Sequence, residues 1–423
     1  MNLVKTLLPE WFSVLLRPIY HWLLSCIAAF FYGRPSRKLV VIGVTGTNGK
    51  TSVVEFVSQI LRSSGIKTAS ISSVYFRVGD DVQKNEFKMT MPGRFFLQKF
   101  LRRAMDEGAT HAVLEITSEG VKQFRHKNID WDILALTNIT PEHIESHGSF
   151  ENYRKAKEKV FAELSKTFRK PSIPKMIIVN GDDPESQNFL KYDADKKIIY
   201  SKKDAPQDTK LPGEFNLYNL AAAIKVAEAL GVDQEKIRQA VGKIEGVPGR
   251  MEFVQRETFS VVIDYAHTPD ALRKVYETLR GANKKLICVL GSAGGGRDKW
   301  KRKEMGKIAS EFCAQIIITN EDPYDENPAG IIDEVALGAE ESARVSPEKA
   351  AQTSITKILD RKEAINRAIQ NARPGDVVII TGKGVEPWIM GPAGQKIPWD
   401  DREIARDRRS RKEHNCDQNR GKC

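Results

Sequence analysis

Residues 39–52 read LVVIGVTGTNGKTS, and the fold turns on how this stretch is read. Leu39-Val40-Val41-Ile42 is a short apolar, β-branched run of the kind that forms a buried strand. It leads into Gly43, Gly46 and Gly49, which let main-chain N–H groups approach an anion. Lys50 and Thr51 then open a helix, visible as Val53-Val54-Glu55-Phe56-Val57 and apolar again at Ile60-Leu61. A helix N-terminus behind a glycine-rich turn favours negative charge. The generic phosphate-loop pattern wants glycine at the position of Val44, so the strict spacing fails while its physical content survives. Lys50 is placed to reach the outer phosphates of a nucleotide, and the Thr51 hydroxyl to ligate Mg²⁺.

The chain around this loop has 423 residues, 41% of them hydrophobic, enough to bury real cores in two or three domains and to exclude a disordered protein. Its net charge of +11 suits nucleic acid, an anionic membrane, or a substrate carrying phosphates and carboxylates. Part of that excess sits in the last residues, DREIARDRRSRKEHNCDQNRGKC, read either as a solvated end or as a binding arm. Cysteines 26, 288, 313, 416 and 423 show neither CxxC nor Cys/His spacing, which argues for a reducing compartment, the cytoplasm, and against a structural metal cluster. Near the N-terminus, WFSVLLRPIYHWLLSCIAAFFY (11–32) is apolar and aromatic but interrupted by Arg17, Pro18 and His21. After Pro18 only about 14 mostly apolar residues remain, short of the roughly 18–20 needed to span a bilayer, and the stretch lacks a small-residue cleavage site. Two readings stand side by side: an interfacial helix making peripheral membrane contact, or a helical pair packed on the body of the protein.

From Lys38 onward strand-like and helix-like runs alternate, the pattern of a mostly parallel sheet covered by helices. LVVIGV, HAVLEI, DILALTNI and MIIVNG form a first series, closed by the helix-like NLYNLAAAIKVAEALGV and a shorter one from Gln234 to Ile244. GVPGR (246–250) reads as a linker. FSVVIDYAH, KLICVLG, QIIITNEDP and DVVIITGKG form a second series whose turns should line a crevice at the carboxyl ends of the strands. The expected fold class is α/β: a P-loop-containing central domain with a mostly parallel sheet, plus a Rossmann-like C-terminal α/β domain. The expected boundaries are 1–37 for an apolar helical segment, 38–247 and 248–405 for the two domains, and 406–423 for the basic tail.

Glu115 ends HAVLE and His143 follows DILALTNI, so both could face the phosphate loop as ligands of a divalent cation; a surface Glu and a loop His fit the pattern equally well. In YRKAKEKVF (153–161), Lys155, Lys157 and Lys159 read as a solvated helix face, and spacing selects none of them. Asp264 in DYAHTPD is suited to accept ribose hydroxyls. GSAGGGRDKWKR, with Arg297, Lys299 and Arg302, is a candidate anion site.

Taken together these segments resemble the Mur ligase family of ATP-dependent amide-bond synthetases of peptidoglycan precursor assembly, and within it the MurE type, over roughly residues 38–405. GTNGKTS (46–52) is that family's own phosphate-loop form, which implies Gly46, Thr47, Asn48, Gly49, Lys50, Thr51 and Ser52 as ATP-binding residues. LEITSEGVKQFR is similar to the family's MEVSSHALDQGR segment and implies Glu115 as a Mg²⁺ ligand, with Ser118, Gln123 and Arg125 binding substrate. TNITPEHIESHGSFENYRKAK implies Asn138 near the nucleotide, His143 near the metal, and Lys157 at the lysine the family carbamylates into a metal-binding carboxylate. GEFNLYNLAAA implies Asn216 and Asn219 on the adenine side, GVPGRME places Arg250 at the domain junction, and DYAHTPDAL makes Asp264 a nucleotide contact. Arg297 stands where the family holds the incoming amino acid's carboxylate, and Gly382 and Glu386 of GKGVE where it holds the amine end.

The resemblance implies ATP, Mg²⁺ and a carbamylated Lys157 as cofactors. It also implies a UDP-MurNAc-peptide-like donor and an amino acid as partners, no nucleic acid, and a monomer in the cytoplasm. Catalysis is implied to rest on Lys50, Glu115, His143 and Lys157, the metal being held by Thr51, Glu115, His143 and Lys157. The sequence departs from the pattern in three places. Only about 37 residues precede the central domain, so the usual uridine-binding domain is lacking, and the donor could be lipid-linked or otherwise altered. The family's Asn-Thr-Thr-Pro appears as Met89-Thr90-Met91-Pro92, keeping Thr90 and Pro92. Its diaminopimelate-reading Asp-Asn-Pro-Arg appears as Glu321-Asp322-Pro323-Tyr324, so Asp322 and Tyr324 border the acceptor without the bidentate Arg. An acceptor other than diaminopimelate, such as lysine, is implied. The competing readings are a ligase of the same chemistry on another acceptor, and an ATP-binding scaffold that has lost catalysis.

Overall fold

The computed structural model describes residues 10–87, 89–281, 284–345 and 353–407, and the side chains from Pro18 onward within that range. The expected basic tail lies outside the described residues from 408 on. The chain forms two compact units. The first comprises residues up to Pro141, Ser149–Lys210 and Phe215–Ile244; the second comprises Glu142–Gly148, Leu211–Glu214 and the chain from Glu245.

The first unit is built on an eight-stranded sheet, β4-β3-β2-β5-β1-β6-β7-β8. Its strands are β1 (Val40–Thr45), β2 (Thr68–Ile71), β3 (Tyr75–Val78), β4 (Asp81–Lys84), β5 (His111–Glu115), β6 (Ile133–Leu136), β7 (Met176–Asn180) and β8 (Lys196–Tyr200). From β2 to β8 all neighbours are parallel, and β3 and β4 add an antiparallel hairpin at one edge. β5, β6 and β7 are buried along almost their whole length, which is why they read as unbroken apolar runs rather than alternating ones. β4 is exposed throughout and reads as polar, so the sequence reading passed over it.

One glycine of the opening stretch plays a different part from the one expected. Gly43 lies inside β1, where a Cβ would fall 2.5 Å from Ile116, 2.8 Å from Leu134 and 2.9 Å from Trp131. It is there to let Trp131 close on the sheet, and only Gly46 and Gly49 belong to the turn.

Beneath β1 and β6, Asp132 has no solvent exposure and accepts from the main-chain N–H of Val41 at 2.8 Å and from the ammonium groups of Lys170 and Lys175. Lys175 also donates to Thr167 Oγ1 at 3.0 Å and to the Phe168 carbonyl at 2.9 Å. Removing one partner of such a buried set leaves uncompensated charge. Asp132→Ala should therefore cost about 3–5 kcal/mol in a urea unfolding titration, and an unchanged midpoint would show that the two lysines need no counter-charge.

The second unit carries a six-stranded sheet, β13-β12-β11-β14-β10-β9. Its strands are β9 (Glu252–Gln255), β10 (Ser260–Ile263), β11 (Leu286–Leu290), β12 (Gln315–Ile318), β13 (Ser354–Lys357) and β14 (Val377–Ile380); β15 (Trp388–Met390) and β16 (Lys396–Pro398) form a separate hairpin. All pairs in the large sheet are parallel except β10 with β9. Both units are thus α/β with mostly parallel sheets, as expected. Cys288 of β11 and Cys313, which ends the helix Trp300–Phe312, are joined by a disulfide, a pairing that cysteine spacing did not foresee and that runs against the reducing compartment read from it.

The helix Glu10–Phe31 packs on the first unit through Ser25, Ala28 and Ala29, beside the helix Arg94–Asp106. Asn128 Nδ2 donates to Ser25 Oγ at 2.8 Å. No helix among the described residues is long and apolar enough to cross a membrane.

Candidate nucleotide, metal and acceptor sites

The turn after β1 is shaped by two glycines at positive φ, Gly46 at 145° and Gly49 at 84°. A Cβ on Gly46 would lie 1.9 Å from Thr137 Oγ1, and one on Gly49 would lie 2.2 Å from Asn219 Oδ1. The chain after β6 braces the turn. Thr47 N–H donates to the Asn138 carbonyl at 2.7 Å, Asn48 N–H to Asn138 Oδ1 at 3.0 Å, and Asn138 Nδ2 back to the Asn48 carbonyl at 3.0 Å. Asn219 in turn donates to Asn216 at 3.2 Å. These contacts brace the loop in front of the helix Lys50–Ser63, whose N-terminal end suits phosphate. Lys50 Nζ donates to the Thr47 carbonyl at 2.8 Å.

Thr51 Oγ1 donates to Glu115 Oε2 at 3.0 Å, and Glu115 is 2% exposed at the end of β5. A hydroxyl and a carboxylate at the mouth of a phosphate loop are oxygen donors of the kind Mg²⁺ takes. Lys157 comes from the buried face of the helix Phe150–Leu164, 2% exposed, with Nζ donating to the Gly46 carbonyl at 2.7 Å and lying 4.8 Å from the centre of the Tyr153 ring. Its neighbours Lys155 and Lys159 are exposed. Burial therefore selects the one lysine that spacing could not.

Glu115 also ties the metal side to the loop expected to hold the donor. It accepts from Ser73 N–H at 3.0 Å, and Ser73 Oγ lies 2.8 Å from Thr90 Oγ1. Pro92 is buried beside Met91, and Arg125 donates to the Met91 carbonyl and, at 2.7 Å, to Gln123 Oε1. Arg94 donates to the Gln123 carbonyl. Burial lowers the pKa of both guanidiniums, Arg94 being pushed down further by Arg125. Two cations this close, with Glu119 the carboxylate that acts on Arg125, make an anion-seeking patch. Ser118 opens the short helix Ser118–Lys122 beside them.

His143 is the fourth expected ligand. It belongs to the second unit, at φ 55° before the short helix Ile144–His147, with its ring 6.5 Å from that of His147. The segment 142–148 is held within that unit by the buried pair Lys301–Glu142 at 3.1 Å and by Asp298, which accepts from Glu145 N–H at 2.9 Å. No group of three or more His, Cys, Asp or Glu that could hold a metal occurs among the described residues.

In the second unit Asp264 is buried and accepts from Met251 N–H at 2.7 Å and Ala266 N–H at 2.6 Å, so it fixes the turn after Arg250. Burial raises its pKa. Arg250 stacks 4.1 Å over the Tyr265 ring, and Tyr265 OH donates to Glu386 Oε1 at 2.9 Å. Lys383, without solvent exposure, donates to Glu386 Oε2 at 2.7 Å and Asp322 Oδ1 at 2.9 Å. Burial opposes its charge, yet the two carboxylates hold its pKa above the ordinary lysine value. Arg297 is likewise opposed by burial and held up by Tyr265, Tyr324 and Glu386. Gly382 sits at φ 104°, where a Cβ would meet Glu321 Oε2 at 2.5 Å. His267, pushed down to about 3 by burial and then by Lys301, is neutral at any working pH.

Ser73, Thr137, Tyr153, Tyr265 and Lys383 were missed by the sequence reading. Tyr153 had a signal, since it precedes Lys157 by four residues and so shares its helix face. Lys383 lay inside GKGVE between two chosen residues. Ser73 and Thr137 carry no local signal, because they meet Glu115 and the loop only through strand pairing.

A phosphate loop, a carboxylate–hydroxyl pair and a buried lysine gathered in one α/β unit, with a second α/β unit of paired charges, fit an ATP-using ligase. The Mur ligase middle domain family matches residues 44–209, and the Mur ligase glutamate ligase domain family matches residues 249–384. The UDP-N-acetylmuramoyl-L-alanyl-D-glutamate--2,6-diaminopimelate ligase of Geobacillus kaustophilus is 35% identical over 411 residues, covering 90% of this chain and 81% of the relative. That of Listeria monocytogenes serovar 1/2a is 35% identical over 412 residues, with the same coverage. A solved structure of an enzyme with that name aligns with TM-score 0.57 at 30% identity, over 89% of this chain and 79% of the other. In fold alone, the Mycobacterium tuberculosis folylpolyglutamate synthase complexed with ADP and AMPPCP aligns with TM-score 0.64 at 17% identity, over 85% of this chain and 91% of the other. The chain belongs to the Mur ligase family, ATP-dependent ligases that form a carbon–nitrogen bond.

Proposed function

We propose that this protein joins the amine of an amino acid to the terminal carboxylate of a UDP-MurNAc-peptide-like donor, as a monomer in the cytoplasm, in the synthesis of a peptidoglycan precursor. The observation that carries this reading is the contact chain Thr51–Glu115–Ser73–Thr90, which runs from the phosphate loop to the donor loop. A donor carboxylate held by Arg94 and Arg125 attacks the γ-phosphorus of ATP, giving an acyl phosphate and ADP. The acceptor amine then attacks the acyl carbon; the C–N bond forms, the C–O bond to phosphate breaks, inorganic phosphate leaves and the amine gives up its proton. Lys50 and the loop N–H groups bind and orient the phosphates, so the work is positioning and charge stabilisation rather than protein nucleophilicity. Mg²⁺, when bound, would neutralise phosphate charge; Thr51 and Glu115 would offer it oxygen ligands, and a carbamate on Lys157 would offer a third. As a bare ammonium Lys157 has no lone pair to offer, which is why the carbamate is part of the proposal.

For the acceptor, Arg297 takes the α-carboxylate and the acids near Lys383 take the ammonium. Where an arginine would grip a distal carboxylate, Tyr324 hydrogen-bonds Arg297 instead. Glu321, Asp322 and Glu386 lie nearby, so the pocket suits a distal ammonium such as lysine's and disfavours a second carboxylate. Phosphate release with UDP-MurNAc-dipeptide as donor should be about tenfold or more faster with L-lysine than with meso-diaminopimelate, the scale of one lost charged contact. Preference for diaminopimelate would reverse the acceptor assignment, and ATP binding with no turnover on any acceptor would favour the scaffold reading.

A further inference from the structure

The helix Glu10–Phe31 is apolar on both sides. Ser25, Ala28 and Ala29 face the first unit, while Ile19, Tyr20, Trp22, Leu23, Ile27, Phe30 and Phe31 are exposed. Phe30 and Phe31 are 81% and 72% exposed. The outer face of a helix packed on a domain is normally polar, so a helix greasy on that face is built to be covered by something else. We propose that this face rests on an anionic lipid surface, and that the ligase meets its donor there.

Three features favour lipid over a protein partner. The chain from Pro18 to Lys38 contains no carboxylate, while Arg34, Arg37 and Lys38 follow the helix. Arg34 and Lys38 are exposed; Arg102, beside Gly33, is paired with Asp106 at 2.8 Å and Arg37 lies 3.6 Å from Asp130, so the charge of the rim rests mainly on Arg34 and Lys38. This basic rim complements anionic headgroups, each cation strengthening binding several-fold. The exposed set includes Tyr20 and Trp22, whose amphipathic rings suit the headgroup level. The helix does not meet the length and hydropathy of a membrane span, and Pro18 interrupts it, so it lies on a bilayer rather than through it. The donor side lies close by: Tyr20 interacts electrostatically with Arg94, the residue that donates to the Gln123 carbonyl. A docked face therefore sets the donor loop next to the lipid, where a donor carrying a lipid tail is met without leaving the bilayer. That consequence rests on the ligase reading; the docking itself does not.

Co-sedimentation of the full chain with vesicles tests the docking without ATP or substrate, so its outcome is separable from that of the ligation assay. The wild type should pellet with phosphatidylglycerol-containing vesicles, less with pure phosphatidylcholine, and less again as salt rises. Phe30→Glu/Phe31→Glu should lower the bound fraction about tenfold or more, with circular dichroism and phosphate release on a soluble donor unchanged. Arg34→Glu/Lys38→Glu should remove the preference for anionic lipid. A wild type that stays in the supernatant with every vesicle, or a double-Glu variant that pellets like it, overturns the proposal. So does a wild type that is dimeric by light scattering and made monomeric by the phenylalanine substitutions without any vesicle binding, which would assign the face to a second copy.

Discussion

Replacing Lys157 with alanine should abolish ligation to assay background while the protein still folds and binds ATP. The side chain is buried against the phosphate loop, its Nζ on the Gly46 carbonyl at 2.7 Å. Carbamylation joins the neutral amine to CO₂ with loss of one proton, converting a cation that repels Mg²⁺ into a carboxylate that ligates it. Loss of an outer partner of a metal ligand typically costs about 10–100-fold, so loss of a ligand itself should exceed that. Lys157→Arg separates charge from chemistry, because arginine remains protonated and does not carbamylate. It should be as inactive as the alanine variant. Wild-type enzyme freed of dissolved CO₂ should lose rate and regain it with bicarbonate. Full activity in either variant, or indifference to bicarbonate in a CO₂-free assay, would leave Lys157 a structural brace of the loop.

Lys50→Ala should lower the rate of acyl-phosphate formation by about 10²–10³-fold, the scale of one preorganised donor to developing charge. The residue is only partly buried and donates to the nearby Thr47 carbonyl at 2.8 Å, so the fold should not suffer. ADP formation in a single turnover isolates the chemical step from product release. ATP affinity should fall much less than the rate, since the loop N–H groups and the helix N-terminus remain. A variant that keeps more than about a tenth of the wild-type single-turnover rate would remove Lys50 from phosphoryl transfer.

The strands at the centre of both sheets were legible because parallel strands covered on both faces must be continuously apolar. LVVIGV, HAVLEI, MIIVNG and DVVIITGKG each became one. β4, β9 and the β15–β16 hairpin were not, since edge strands and short hairpins expose polar side chains and leave no run to find. Among the site residues, the phosphate loop was legible because its function is carried by the main chain of seven consecutive positions. His143 shows the opposite case. It follows β6 in sequence, yet Asp298 and Lys301 gather residues 142–148 into the second unit, a grouping that no local run announces.

The sequence by itself determined the α/β class, the phosphate loop with Lys50 and Thr51, and the family, because each of these is written in local runs and spacings. The tertiary structure decided which of three lysines on one helix is buried at the loop, and that Gly43 serves packing. It also showed that Asp264 fixes the turn after Arg250, and that Ser73 links Glu115 to Thr90. The physical reason is common to all of these: burial and hydrogen-bond partnership across strands are set by which distant segments lie side by side, and no periodicity along the chain encodes that.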